Sequence, residues 1–137
     1  MSAVAVDTSV LLTIFKGEPK GEDWLECLQS TAETATLLVS SVVFAEIRSF
    51  FPSGDACRKT LRNIHLRHSP ITEEASLLAG ELFRTYRNQG GPRKTMLSDF
   101  LVAAHASTQA DSLATEDRGY LRRYFPALRL LTPDVSK

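Results

Sequence analysis

Four acidic residues stand where carboxylates can do chemistry. Asp7 ends the short apolar run Ala3-Val4-Ala5-Val6. Glu46 lies early in the apolar stretch that follows a second such run, Thr36-Leu37-Leu38-Val39. Asp99 follows Ser98 at the head of Phe100-Leu101-Val102-Ala103-Ala104, and Asp117 follows Ser112-Leu113-Ala114 after Thr115 and Glu116. Each has an ordinary explanation alone, because acids favour helix starts as caps and as partners of the helix dipole. Asp23, Asp55 and Asp111 are read that way. Convergence of four acids is harder to explain. Two bare carboxylates ~4 Å apart repel by about 4 kcal/mol at an effective dielectric of 20. A hard divalent cation such as Mg²⁺ or Mn²⁺ removes that penalty and takes oxygen ligands. Such an ion activates water and polarises a phosphodiester, so the pattern points to metal-assisted phosphoryl chemistry.

The elements around these acids are expected to bring them together. Ala3–Val6, Thr36–Val39, Ser112–Ala114 and Leu128–Leu131 read as strands. Val10, Leu11, Ile14 and Phe15 recur at helical spacing until Gly17, Glu18 and Pro19. Trp24, Leu25 and Leu28 mark a second helix that frays over Thr31–Thr34. Ser40 and Ser41 are N-cap candidates for the helix carrying Glu46. Pro52-Ser53-Gly54 breaks the chain before a polar helix with Leu61 and Ile64 inward, and Pro70-Ile71 reads as an extended link. Thr72 is an N-cap candidate, with Glu73 and Glu74 in the first turn and an apolar stripe from Ala75 to Tyr86. Gly90-Gly91-Pro92 is the clearest loop. Ser98 is expected to cap the apolar helix after it, and Tyr120–Tyr124 to form a short helix stopped by Pro126. Strands thus alternate with helices, which implies an α/β domain with a mostly parallel sheet flanked by helices. Ligands of such sheets sit beyond the strand carboxyl ends, where the four acids fall.

Composition sets the outer bounds. The chain has 137 residues, 43% hydrophobic and 23% charged, which suits one compact domain over residues 1–137. Sixteen basic and 16 acidic residues cancel. That balance excludes a polycation holding nucleic acid by bulk charge but not a local basic patch. Cys27 and Cys57 make neither a disulfide framework nor a common zinc site, and are expected to be reduced thiols in a cytoplasmic protein. No signal peptide and no membrane span are expected, since Asp7 interrupts the first apolar stretch and no run approaches ~18 apolar residues.

Taken together, Val6-Asp7-Thr8-Ser9-Val10-Leu11, Ser41-Val42-Val43-Phe44-Ala45-Glu46, Asp99-Phe100-Leu101-Val102-Ala103-Ala104-His105-Ala106 and Leu113-Ala114-Thr115-Glu116-Asp117 resemble the four motifs of PIN domains, in the family's order. The compact size most resembles a VapC-type toxin of a toxin–antitoxin pair. The resemblance implies a single PIN-like domain and a Mg²⁺- or Mn²⁺-dependent endoribonuclease. It implies that Asp7, Glu46, Asp99 and Asp117 hold the metal and activate water for RNA cleavage, with Ser9 and Thr115 orienting the acids. It further implies an RNA substrate, a VapB-like antitoxin and a homodimer. Glu116 adds an acid between Thr115 and Asp117; it either faces solvent, hinders RNA or adds a ligand.

Other residues were weighed against plainer roles. Arg93 and Lys94 before Asp99, and Arg118, Arg122 and Arg123 after Asp117, are either RNA-phosphate contacts or ordinary charged surface. His105 lies six residues past Asp99, about 120° around a helix, and reads as a packing residue. His65 and His68 read as solvated. Phe50-Phe51 is a candidate partner surface. The rivals are a non-catalytic PIN-like interaction module and a nuclease acting on other nucleic acid. A haloacid-dehalogenase phosphotransferase is disfavoured because Ser9 stands where its second acid is required. A response-regulator receiver would need paired early acids and a late strand-end lysine, and neither is seen.

Overall fold

A computed structural model describes residues 2–91, 95–117 and 119–133. Five parallel strands form one sheet in the order β3-β2-β1-β4-β5. They are β1 (Ser2–Val6), β2 (Ala35–Ser40), β3 (Leu66–Ser69), β4 (Ser112–Ala114) and β5 (Arg129–Leu131). Helices α1 (Thr8–Phe15) and α2 (Gly21–Thr31) join β1 to β2, and α3 (Ser41–Arg48) and α4 (Gly54–Asn63) join β2 to β3. Helices α5 (Glu73–Asn88) and α6 (Leu97–Gln109) carry the chain back across to β4, and α7 (Leu121–Tyr124) leads into β5. The expected α/β architecture is therefore present. Among the described residues, no helix is long and apolar enough to cross a membrane.

The strand order places the site. From β1 the chain builds outward to β2 and β3, then returns to the other side of β1 for β4. The connections part between β1 and β4, and a crevice opens at their carboxyl ends. The Asp7 amide donates to Ala114 O at 2.9 Å and holds the two strand ends together there. Beneath it, Val4, Ala5, Val6, Leu37, Val39, Leu113 and Ala114 form the buried middle of the sheet.

Two helix starts follow the capping rules read from the sequence. Ser40 Oγ accepts from the Val43 amide at 3.4 Å, and Thr72 Oγ1 from the Ala75 amide at 3.1 Å. The start of α6 corrects the expectation for Ser98. Met96 is its N-cap and Ser98 lies inside the first turn, because the Asp99 carboxylate folds back to accept from the Met96 amide at 2.8 Å. Strand β3 also departs from the reading. The link expected at Pro70-Ile71 is preceded by a strand whose side chains are mostly exposed. An edge strand is defined by its backbone ladder to β2, so Leu-Arg-His-Ser needs no apolar run.

An aromatic cluster anchors α6. Phe100 is buried, and its ring centroid lies 5.4 Å from Phe83 and Tyr86, 5.3 Å from Tyr120 and 5.7 Å from Tyr124. Such pairs add about 0.5–1.5 kcal/mol each beyond area burial. They grip the residue next to Asp99 from α5 and α7 together. Gly91 passes so close over Tyr86 that a Cβ there would run into the ring, which accounts for the glycine in that loop. Pro92 lies outside the described residues. Asp111 starts no helix, contrary to the reading given it; it precedes β4 and accepts from the Ala3 amide of β1 at 2.7 Å.

Candidate active site

Asp7 is the hub of the crevice. It leaves β1 and is the N-cap residue of α1. Ser9 Oγ and Thr115 Oγ1 each donate to its Oδ2 at 2.8 Å. Both hydroxyls are aimed from behind: Ser9 Oγ accepts from the Glu116 amide at 3.0 Å, and Thr115 Oγ1 from the Asp117 amide at 3.0 Å. Two backbone amides of the β4 loop are thus relayed through two hydroxyls to one carboxylate oxygen. Both bonds converge on Oδ2, which leaves the other oxygen to a further partner.

The other three acids surround this hub. Glu46 is exposed on α3, and its Oε1 accepts from Thr8 Oγ1 at 2.6 Å. Asp99 is half-buried in the first turn of α6. Burial pushes its carboxyl above the usual carboxylate range. The Met96 amide pulls it down, and the charges of Asp7, Asp117 and Glu46 each push it further up. Asp99 therefore feels the charges of three acids that lie far from it in sequence. Asp117 is exposed at the loop tip, tied by its amide to Thr115.

Three residues, Thr8, Tyr120 and Glu116, belong here in roles that the sequence did not assign. Thr8 holds Glu46. The Tyr120 hydroxyl donates to Asp99 O at 3.0 Å. Burial, then the charges of Asp99, Asp7 and Asp117, hold its phenol far above its usual range, so it works as a neutral donor. The buried Trp24 Nε1 donates to Glu116 Oε2, and Lys20 Nζ lies 3.5 Å from Glu116 Oε1. Glu116 is exposed, as one of the readings from the sequence had it, and its carboxylate ties the β4 loop to α2. The shared apolar-to-acid pattern hid these three, because a Thr beside an Asp, or a Tyr in a helix, carries no sequence signal of its own.

The histidines and cations divide. His105 is 0% exposed, with Nε2 2.9 Å from Ser69 Oγ, as expected of a packing residue. His68 is exposed but partnered, by Ser41 Oγ at 3.0 Å and by the edge of Phe44. Arg93, Lys94 and Arg118 lie outside the described residues. Cys57 is buried and Cys27 Sγ donates to Thr132 O at 3.7 Å, with no disulfide between them.

The donor set suits a hard cation, because it offers carboxylate oxygens and neither thiolate nor imidazole. Burial first, and the charges of Asp7, Asp117 and Glu46 after it, raise Asp99, and a divalent ion bound there would relax the part due to charge. Among the described residues, no three His, Cys, Asp or Glu side chains stand close enough to form a ready-made cage.

A PIN domain family model matches residues 4–126 of the 137. The chain belongs to the PIN domain family. Its fold is similar to that in a structure of VapBC2 from Rickettsia felis bound to a DNA fragment from their promoter (TM-score 0.73, 22% identity, covering 96% of this chain and 99% of that one). It is also similar to VapBC-1 from nontypeable Haemophilus influenzae (TM-score 0.71, 16% identity, 94% and 96% covered). A toxin–antitoxin complex from Klebsiella pneumoniae matches at TM-score 0.68 and 19% identity, with 95% and 97% covered. At these identities the likeness is one of fold. No curated protein matches the chain in sequence.

Proposed function

We propose that this chain is a Mg²⁺- or Mn²⁺-dependent endoribonuclease and the toxin of a type II toxin–antitoxin pair. The observation that carries the reading is the orientation of Asp7 by Ser9 and Thr115, beside an Asp99 that feels the charges of Asp7, Asp117 and Glu46. A non-catalytic interaction module has no need for a repulsive cluster held this way. When bound, the divalent ion supplies an activated water and a Lewis acid for the scissile phosphate.

The chain's own residues do the rest. Ser9 and Thr115 fix the Asp7 carboxylate so that its second oxygen points to a ligand. Thr8 steadies Glu46, and the Met96 amide steadies Asp99. Asp99, whose carboxyl burial pushes toward the protonated form, would give up that proton to hold the metal as the site fills. Asp117 closes the fourth corner on a loop pinned through Glu116. The nuclease domain is taken to span residues 1–137, with Arg93, Lys94 and Arg118 as cations meeting RNA phosphates near the acids.

The partner reading rests on the solved complexes of similar fold, which pair VapC-like chains with antitoxins. We assign a VapB-like antitoxin on that basis, and a homodimer and a cytoplasmic location on the family resemblance of the sequence. Phe50, 56% exposed, is an apolar side chain that such a homodimer could cover, while Phe51 packs edge-on against Phe15. The test is incubation with structured and unstructured RNAs, with and without Mn²⁺, beside Asp7→Asn and Asp99→Asn. Metal-dependent cleavage by the wild type alone supports the reading. Full activity in either variant refutes the assigned roles, cleavage of DNA in preference to RNA moves the substrate, and no stabilisation by Mn²⁺ favours the interaction module.

A further inference from the structure

Charge is segregated along this chain. Residues 47–72 hold Arg48, Arg58, Lys59, Arg62 and Arg67 against one acid, Asp55. That is a net +4 in a chain whose total is zero, so the remainder carries −4. The fold shapes this segment into a furrow beside edge strand β3. Three adjoining hollows make it up. The first lies between α3 and α4, with Ser41, Ala45, Arg48, Arg58 and His68 in its walls. It shares Phe44, Arg58 and His68 with the second, which adds Arg62 and Arg67. The second shares Arg62, Leu66 and Arg67 with the third, at the amino ends of β2 and β3. Among the described residues, no Asp or Glu lines any of the three.

The cations in the furrow are left largely uncompensated. Asp55 pairs with Arg58. Arg48 donates to a neutral carbonyl, Phe51 O, at 2.9 Å. Among the described residues, Arg62 and Arg67 form no ion pair with a carboxylate. Several arginines gathered without anions repel one another, and a polyanion that displaces its own counterions removes that repulsion. The furrow also offers aromatic faces. Phe44 and His68, with ring centroids 4.9 Å apart, line both upper hollows. A cationic track with interleaved aromatic rings is the chemistry of single-stranded nucleic acid binding, where phosphates meet arginine and unpaired bases stack.

Its direction matters. The furrow follows β2, whose six residues span roughly 20 Å at ~3.3 Å per residue. Its upper end reaches Ser41 and Ala45 of α3, and the next residue, Glu46, belongs to the acid cluster. Ser69 pairs with Ser40 at the same strand ends from which Asp7 emerges.

We propose that this furrow seats the sugar–phosphate backbone of single-stranded RNA and leads the strand to the acids, an inference that rests on the nuclease reading above. The probe is a fluorescein-labelled oligouridylate of ~20 nucleotides, its anisotropy followed with the full chain in EDTA across about 50–200 mM salt. For single strands the slope of log K against log salt is about −0.7 per phosphate neutralised, so Arg62→Gln with Arg67→Gln should flatten it by about 1.4. Arg84→Gln with Arg129→Gln, on α5 and on the opposite sheet edge, removes the same charge and should leave the slope unchanged. With Mg²⁺, the furrow variant should cleave the same RNA with raised KM and little change in kcat. Equal slopes and affinities for the two double variants would overturn the furrow even if cleavage is normal. A flattened slope in a chain whose wild type never cleaves would support the furrow and sink the nuclease reading instead. Tighter binding of a duplex of equal length would overturn the single-strand assignment.

Discussion

Replacing Thr115 by valine keeps the shape of a side chain that is 1% exposed and removes a single hydroxyl. That hydroxyl donates to Asp7 Oδ2 and accepts from the Asp117 amide. A hydrogen bond to a charged group contributes about 1.5–3 kcal/mol, and an amide left unpartnered costs about 1–3 kcal/mol when buried. Asp117 is exposed, so water takes up much of the second cost and the first dominates. The expected loss is about 2 kcal/mol at neutral pH. For a chain of this length that lowers Tm by about 6–10 °C. Thr115→Ser keeps the hydroxyl and should lose less than half as much. Activity should fall further than stability, because Asp7 and Asp117 lose their alignment together; a displacement of about 1 Å can cost ~10²-fold. Combining Thr115→Val with Ser9→Ala tests the shared-oxygen geometry directly. Both hydroxyls serve Asp7 Oδ2 and lie 3.4 Å from one another, so the two losses should deviate from additivity by more than about 0.5 kcal/mol. Urea melts and Mg²⁺ titrations of cleavage are the assays. A Thr115→Val protein that matches the wild type in both would refute the reasoning.

Metal-free Asp99→Asn should melt above the wild type, and the gap should widen as pH rises. Asp99's folded-state pKa lies above its unfolded value, so its contribution is present below the unfolded value and lost as pH rises through the folded one; a constant gap from pH 3 to 8 in differential scanning would contradict this. Cleavage should stop in excess EDTA, return with Mn²⁺, and need more metal as pH falls, because the proton that the raised Asp99 carboxyl holds must leave when metal binds; undiminished cleavage after exhaustive metal removal would point to a metal-free mechanism. Glu116→Ala should leave the buried indole N–H of Trp24 without its acceptor, lower stability by about 1–3 kcal/mol and shift the emission of the chain's one tryptophan. In the wild type that emission should respond to Mg²⁺ through the β4 loop, and a silent Trp24 would mean that the loop does not move on binding.

The acids and most of the elements could be read from the chain because the signals are local. A buried parallel strand needs a continuous apolar run, and the run stops where the polar crevice begins, so Asp7 and Asp117 announce themselves by position. Ser40 and Thr72 cap their helices because a side-chain oxygen beside a helix start meets amides within its own turn. Sequence order could not supply β3, whose four residues are held by the backbone of β2 and bury only Leu66. Nor could it supply the cap of α6, whose N-cap is Met96 because the Asp99 carboxylate turns back to accept from the Met96 amide. The roles of Thr8, Tyr120 and Glu116 were decided by tertiary structure alone. Thr8 meets Glu46 across 38 residues, Tyr120 meets the Asp99 carbonyl across 21, and Trp24 meets Glu116 across 92. Hydrogen bonds of that span depend on the direction in which two elements pack, and residue type carries no record of it. The basic furrow belongs to the same class. The excess of arginine over residues 47–72 is written in the sequence, but only the packing of α3 and α4 against an edge strand lines those charges along one groove that ends beside the carboxylates.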